Sequence, residues 1–387
     1  MGKKAASASR HSRGLKANEV TEIFAEALQG REDAIRSRHQ WLVPMLDQMS
    51  SGKKITPVSK PGISDADYAH YVDMSAQVGV YRMWAKNGRV TYDLNDYLAQ
   101  ELYRSTYDKL PGNIFAHLSH INPLVVLPEP WPITLNSNEG LVRGFFVYGF
   151  NSNPDQQTFT NEDIEGLGLL MVIDLLDLDT GEVRGQAYMR LYIPTSLKEF
   201  TFEDAVQFAG ERVEAMYIPD DPKQRSRVWN LIEEILRPAL GILIYLCCDN
   251  RDAVEPQAVK PSTVKRGKKA PSDRNPFWVE IGWRIGPRLH AARRAAGRTA
   301  PGPGTPSGVQ RAAHQRAGHF HKFRVGPGRP NQRTQFITRW LMPHWVGLGE
   351  LPEDMDPITT VVAVDPQRHD PLRRRGLKAR RPLHPKK

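Results

Sequence analysis

Cysteine is nearly absent from this chain: the only two, Cys247 and Cys248, are adjacent. Neighbouring cysteines close a disulfide only with strain, so no disulfide framework supports the fold and a reduced, cytoplasmic protein is expected. Long apolar runs are missing as well. The longest, Ala239–Cys248, is half the length of a membrane-spanning helix, which needs roughly 20 residues, so no membrane association is expected. The leading MGKKAASASRHSRG is basic but has no apolar segment of a secretory signal, and Gly2 lacks the downstream Ser or Thr that myristoylation favours. Neither GxGxxG nor GxxxxGK(S/T) follows a strand-like stretch, and there is no GxSxG elbow or HExxH helix. Dinucleotide-binding, P-loop, hydrolase-elbow and zincin readings therefore fall away.

Charge is present in quantity and unevenly placed. Residues 251–387 carry 28 Lys+Arg against 10 Asp+Glu, whereas residues 1–250 carry 25 against 33. An acidic body with a strongly basic C-terminal third points to a polyanionic partner, RNA or a translating ribosome; a solvated charged surface is the plainer reading.

The hydrophobic pattern divides the chain into a disordered basic arm (1–16), an acidic α+β body (17–250), a basic loop (251–275), a basic His/Arg/aromatic module (276–364) and a disordered basic tail (365–387). Within the body, 18–49 is helical with two apolar stripes, one from Val20 to Leu28 and one from Trp41 to Met49. Ser64 and Asp67 have the spacing of a capping box opening a helix that runs to about Lys86. A strand at Val90–Tyr92, a helix from Leu94 to Ser105, a short strand at Leu124–Leu127 closed by Pro128 and Pro130, and a strand at Gly144–Phe150 follow. Leu167–Asp179 and Glu182–Ile193 flank an Asp-Thr-Gly turn and predict a β-hairpin. Asp177 and Asp179 fall on one face of the strand and Asp174 on the other, so turn chemistry and edge charge explain them better than a magnesium site. Thr201 is a plausible N-cap for the next helix, and Pro222–Cys248 reads as the central buried helix, kinked or restarted at Pro238. The expected fold is α+β: N-terminal helices, a small antiparallel sheet, a buried central helix, a C-terminal basic β-hairpin and a disordered basic tail.

The segment 309–346 has the composition that most asks for a functional explanation. His314, Arg316, His319, His321 and Arg324 alternate with small and aromatic residues, and a Gly/Pro turn at 326–330 separates them from Phe336–Val346. Two short strands joined by a loop are predicted, with His319, His321 and Phe323 on one face and Phe320, Lys322 and Arg324 on the other. The candidate nucleic-acid or partner-binding residues are His314, Arg316, His319, His321, Phe323, Arg324, Arg339 and Trp340. Core packing is the plainer role for Trp340. Three imidazoles can also hold a transition metal, so a metal-dependent nuclease built on His314, His319 and His321 is the alternative, as is an RNA- or DNA-binding accessory protein. No carboxylate lies close in sequence to act as general base, and no catalytic residue, metal or cofactor is expected.

With those residues in view, the chain resembles the type V-A anti-CRISPR family of phages and mobile elements that suppresses production of the type V-A CRISPR effector nuclease. The resemblance rests on His314, Arg316, Gly318, His319, Phe320, His321 and Phe323, followed by Arg339, Trp340, Pro343 and Val346. A second match is Pro276, Phe277, Ile281, Gly282, Arg284 and Gly286. Fainter agreement lies at Leu240–Cys247, Thr91–Leu94 and Leu110–Phe115; Phe320 stands where the family usually has Trp, the basic loop at 255–275 is longer, and the C-terminal tail is extra. The resemblance implies a protein that recognises the nascent N-terminal peptide of the effector on the ribosome and promotes loss of the message being translated.

Overall fold

The computed structural model describes residues 17–51, 62–107, 109–135, 138–149, 166–195, 197–217, 222–255, 276–291, 314–316, 318–325, 335–342 and 344–346. The expected basic arm and basic tail and most of the basic loop lie outside these residues. The described residues divide into two units. One holds residues 17–291 and 318–342, and the other holds the paired strands at 314–316 and 344–346.

The first unit opens with α1 (Ala17–Arg38), a 3-10 turn (Gln40–Leu42) and α2 (Val43–Ser51), then α3 (Asp65–Lys86). Ser64 caps α3 as its spacing predicts: its hydroxyl accepts the Asp67 N–H at 3.1 Å. Ile35, Leu42, Met45, Leu46 and Val78 form a small core among these helices. Arg82 joins α3 to both neighbours, at 2.6 Å from Glu32 and 3.0 Å from Asp47.

Next come β1 (Val90–Leu94), α4 (Asp96–Arg104), β2 (Leu110–Pro111), a 3-10 turn (Gly112–His117), β3 (Leu124–Leu135), β4 (Asn138–Tyr148), β5 (Gly166–Leu176), β6 (Val183–Pro194) and β7 (Glu199–Phe200). Helices α5 (Phe202–Tyr217) and α6 (Pro222–Cys247) follow, then β8 (Ala253–Val254) and β9 (Phe277–Ile281). Seven of these strands form one sheet in the order β6-β5-β4-β3-β1-β9-β8. The α+β class holds, and the sheet is larger than the pattern suggested and mixed. Strands β3 to β6 are an antiparallel meander, while β1 runs parallel to both β3 and β9.

Both faces of the meander are covered, which is why β5 is buried along its length and shows no polar alternation. Leu169, Met171 and Ile173 face a core shared with α4, α5 and α6; Leu170 and Val172 face one shared with Phe24 and Leu28 of α1 and Trp84 of α3. The sequence reading ended β3 at Pro128. Instead the strand continues to Leu135, because Pro128 and Pro130 fall between Val126 and Trp131, where the ladder to β4 is interrupted and no N–H is needed.

The Asp-Thr-Gly turn joins β5 to β6 as predicted. One Asp177 carboxylate oxygen accepts the N–H groups of Asp179 (2.9 Å) and Thr180 (2.8 Å), and Gly181 supplies a φ of 72°. Asp174 pairs at 2.6 Å with Arg143, which sits at the β4 bulge between Val142 and Gly144. Thr201 and Asp204 cap α5 reciprocally, at 3.1 and 2.7 Å. Helix α6 continues through Pro238, and from Ala239 to Cys247 it is buried on every side. A Cβ at Gly241 would sit 2.6 Å from the Leu102 carbonyl oxygen, so this glycine permits the close approach of α4 to α6.

Candidate functional site

The basic segment forms the hairpin its pattern predicts: β11 (His319–Val325) pairs antiparallel with β12 (Gln335–Leu341). His314 and Arg316 do not extend it. They lie on β10 (His314–Arg316), which pairs with β13 (His344–Val346) in the second unit, and their side chains are outside the described set, as is that of Arg324.

Register sorts the remaining candidates. Phe320 stands opposite Trp340 and Lys322 opposite Thr338, while His319, His321 and Phe323 stand opposite Leu341, Arg339 and Ile337. The Phe320–Trp340 face is the anchor. Trp340 is 2% exposed, donates its indole N–H to the Ser105 hydroxyl at 2.9 Å and meets the Tyr245 ring edge-on at 5.5 Å. A Cβ on Gly318 would come within 2.8 Å of the same indole, so glycine leaves room for it. Asn250 binds the Trp340 backbone twice, donating to its carbonyl at 2.9 Å and accepting its N–H at 3.1 Å. The Phe320 N–H donates to the Thr106 carbonyl at 3.1 Å. Lys322 reaches Glu199 at 3.0 Å and lowers that carboxyl below its usual range. On the face that carries Phe320 and Lys322, Phe320 and its partner Trp340 are thus committed to the core and Lys322 to an ion pair, because a half-buried hairpin turns its largest aromatics inward.

The opposite face presents a layered set. His321 is exposed and meets Phe323 edge-on at 4.7 Å; the Arg339 guanidinium lies 5.7 Å from the Phe323 ring centroid and 3.4 Å from Asp249. His319 and Phe323 are partly buried. One face therefore offers an imidazole, a phenyl ring and a guanidinium side by side, the chemistry that stacks on bases and contacts phosphate. Among the described residues, no group of three His, Cys, Asp or Glu is placed to hold a metal ion.

Asn250 and Asp252, which tie the hairpin and the β9 turn to the end of α6, were not singled out in the sequence, although a cue existed. Asp249, Asn250 and Asp252 follow an all-apolar helix, and polar groups there must satisfy something. The Asp252 carboxylate accepts the backbone N–H groups of Arg284 (2.9 Å) and Ile285 (3.1 Å) and the Arg284 Nε at 2.5 Å, and its own N–H donates to the Tyr245 hydroxyl at 2.8 Å. Tyr245 therefore joins the hairpin anchor to the turn after β9. In that turn Gly282 has φ 77°, and a Cβ on Gly286 would lie 2.3 Å from Asn95, the cap of α4. Burial pushes the Cys248 thiol up to about 12 and Cys247 higher still, so both are neutral core groups.

A protein-family model described as AcrVA2-like, the anti-CRISPR type V subtype A2 family, matches residues 92–348. The chain belongs to the AcrVA2-like family. The match begins in β1, takes in the sheet and α6, and ends past the hairpin, while α1 to α3 precede it. A crystal structure of AcrVA2 aligns with 14% identity and a TM-score of 0.44 over 85% of this chain and 99% of that one. No curated protein matches the chain. Several residues that carry the AcrVA2-like resemblance are structural: Gly282, Arg284, Gly286, Gly318 and Trp340 all hold the hairpin or the β9 turn in place.

Proposed function

We propose that this anti-CRISPR protein, encoded by a phage or mobile element and acting in the cytoplasm, blocks biogenesis of a type V-A CRISPR effector. It recognises the effector's nascent N-terminal peptide and promotes loss of the mRNA under translation. Membership in the AcrVA2-like family supports the direction of this reading. The observation that carries the RNA- or ribosome-facing part is the outer hairpin face, where His321, Phe323 and Arg339 form one contiguous layer on a rigidly anchored support. The basic C-terminal third would add long-range attraction to the polyanion.

The decisive experiment fuses the first codons of the effector gene to a reporter and measures reporter mRNA with and without the protein. Loss is expected only when those codons are translated in frame. A transcript of the same sequence carrying a compensated frameshift should be spared. Equal loss of both transcripts would mean that RNA sequence is the signal, and loss of neither would sink the reading.

A further inference from the structure

The turn after β9 displays a large aromatic side chain that the core does not take in. Trp283 is 46% exposed, and among the described residues no other ring and no cation lies on its indole. Its N–H donates to the Asp93 carbonyl at 3.3 Å, so the ring is tethered at one edge and not packed inside. The segment that follows is pinned from within: Leu289 belongs to the main core, and the His290 ring stacks on Tyr97 of α4 at 4.4 Å and 24°. Trp283, Arg284, Pro287 and Arg288 are exposed, and the four-residue spacing within each pair, 283 with 287 and 284 with 288, puts them on one stripe.

Charge gives this stripe a direction. From Ile281 to Gly349 the chain carries 12 Lys+Arg and no Asp or Glu, and Trp283 stands at the start of that stretch. Three carboxylates sit on the elements behind the turn: Asp252, and the register partners Asp93 and Glu280. Asp252 is committed to Arg284 and two backbone N–H groups. Arg284 gives Asp252 only its Nε, and its side chain is 68% exposed, which leaves the outer nitrogens of the guanidinium for another acceptor. An exposed indole beside guanidinium groups is the pairing that holds an unpaired base by stacking and its phosphates by charge.

We infer that the exposed stripe of the β9 turn binds single-stranded RNA of the translated message, one base stacking on Trp283 and flanking phosphates meeting Arg284 and Arg288. The inference rests on the reading that a message under translation is the target, and it adds a second RNA contact outside the hairpin. Paired RNA suits the stripe poorly, because the bases of a duplex already stack on one another and offer no face to an indole.

The test is filter binding on the full chain with an unstructured, uridine-rich RNA of about 12 nucleotides, beside thermal melts of each variant. Trp283→Ala should bind about tenfold more weakly with its salt dependence unchanged and its melting temperature close to the parent's, and Trp283→Tyr should recover most of the loss. Arg288→Ala should lower the slope of log affinity against log salt by about one. With 5-iodouridine in the RNA, irradiation should crosslink the parent at Trp283. Parent-like affinity of Trp283→Ala, or crosslinks confined to the hairpin, overturns the inference and leaves the hairpin reading in place. If Trp283→Ala binds the RNA normally but no longer co-sediments with ribosomes stripped of message, the partner is the ribosome surface and the assignment to message RNA falls. If the stripe binds RNA as expected but the in-frame reporter message is not lost, the inference stands and the proposed function falls.

Discussion

The indole N–H of Trp340 donates to the hydroxyl of Ser105 at 2.9 Å, and that hydroxyl donates in turn to the Glu101 carbonyl at 2.9 Å. A residue of the basic hairpin is thereby tied to the C-terminal end of α4, 235 positions earlier in the chain. Trp340→Ala should cost about 3–5 kcal/mol of stability through the cavity it leaves. Trp340→Phe keeps the ring against Tyr245 but loses the hydrogen bond and some volume, and should cost less than half as much. Urea denaturation measures both; an unchanged midpoint for the alanine variant would contradict the anchor role.

Asp252 should be as important to stability as any hairpin residue. It is 7% exposed, and its carboxylate satisfies two backbone N–H groups and the Arg284 side chain. Asp252→Ala leaves those N–H groups without their acceptor and should cost about 3 kcal/mol. Arg284 is itself largely exposed, so Arg284→Ala should cost under about 1 kcal/mol. Equal losses in the two variants would mean that the ion pair, and not the backbone contacts, holds the turn.

These two anchors show where the sequence was legible. Local chemistry read correctly: Ser64 with Asp67, the Thr201 cap and the Asp-Thr-Gly turn depend on residues within a few positions of one another, and the two strands of the hairpin on alternation within each. What was not legible depends on pairing across the chain. The parallel placement of β1 between β3 and β9 joins residues 90–94 to 277–281, and no periodicity within either strand announces its neighbour. The same limit hid the division of the basic segment, since His314 and Arg316 pair with residues 344–346 while His319 begins a different ladder. Alternation did place His319, His321 and Phe323 on one face. It left open which face met the core, and Phe320 with Trp340 decided that.

Asp93 supplies a pH test. Its carboxyl is raised from 3.8 to about 6, first by burial and then by Glu280, its register partner on β9. The folded protein therefore holds this proton more tightly than the unfolded chain does. The associated stability is fully present below about pH 4 and is lost as pH rises through 6. Asp93→Asn, which stays neutral, should exceed the parent in stability by on the order of 1 kcal/mol above pH 7, a figure discounted for partial exposure, and the gap should close toward pH 4. Thermal melts of both proteins across that range measure it. A gap that does not change with pH would mean that Asp93 is ionised throughout.

The outer hairpin face gives the sharpest separation of roles. Phe323 is partly buried and His321 is exposed, so Phe323→Ala should cost about 1 kcal/mol of stability or less, and His321→Ala almost none. If this face stacks on RNA, Phe323→Ala should weaken binding of a single-stranded RNA oligonucleotide by about 1–3 kcal/mol with the salt dependence unchanged. Arg339→Ala should do the converse, lowering affinity for all sequences alike and reducing the slope of log affinity against log salt by about one. Trp340→Ala serves as the contrast, because loss of the anchor should lower stability and binding together. Filter binding at several salt concentrations, run beside denaturation of the same four variants, makes the distinction. Stability losses that track the binding losses for Phe323 and Arg339 would return this face to the core and remove it as a recognition surface.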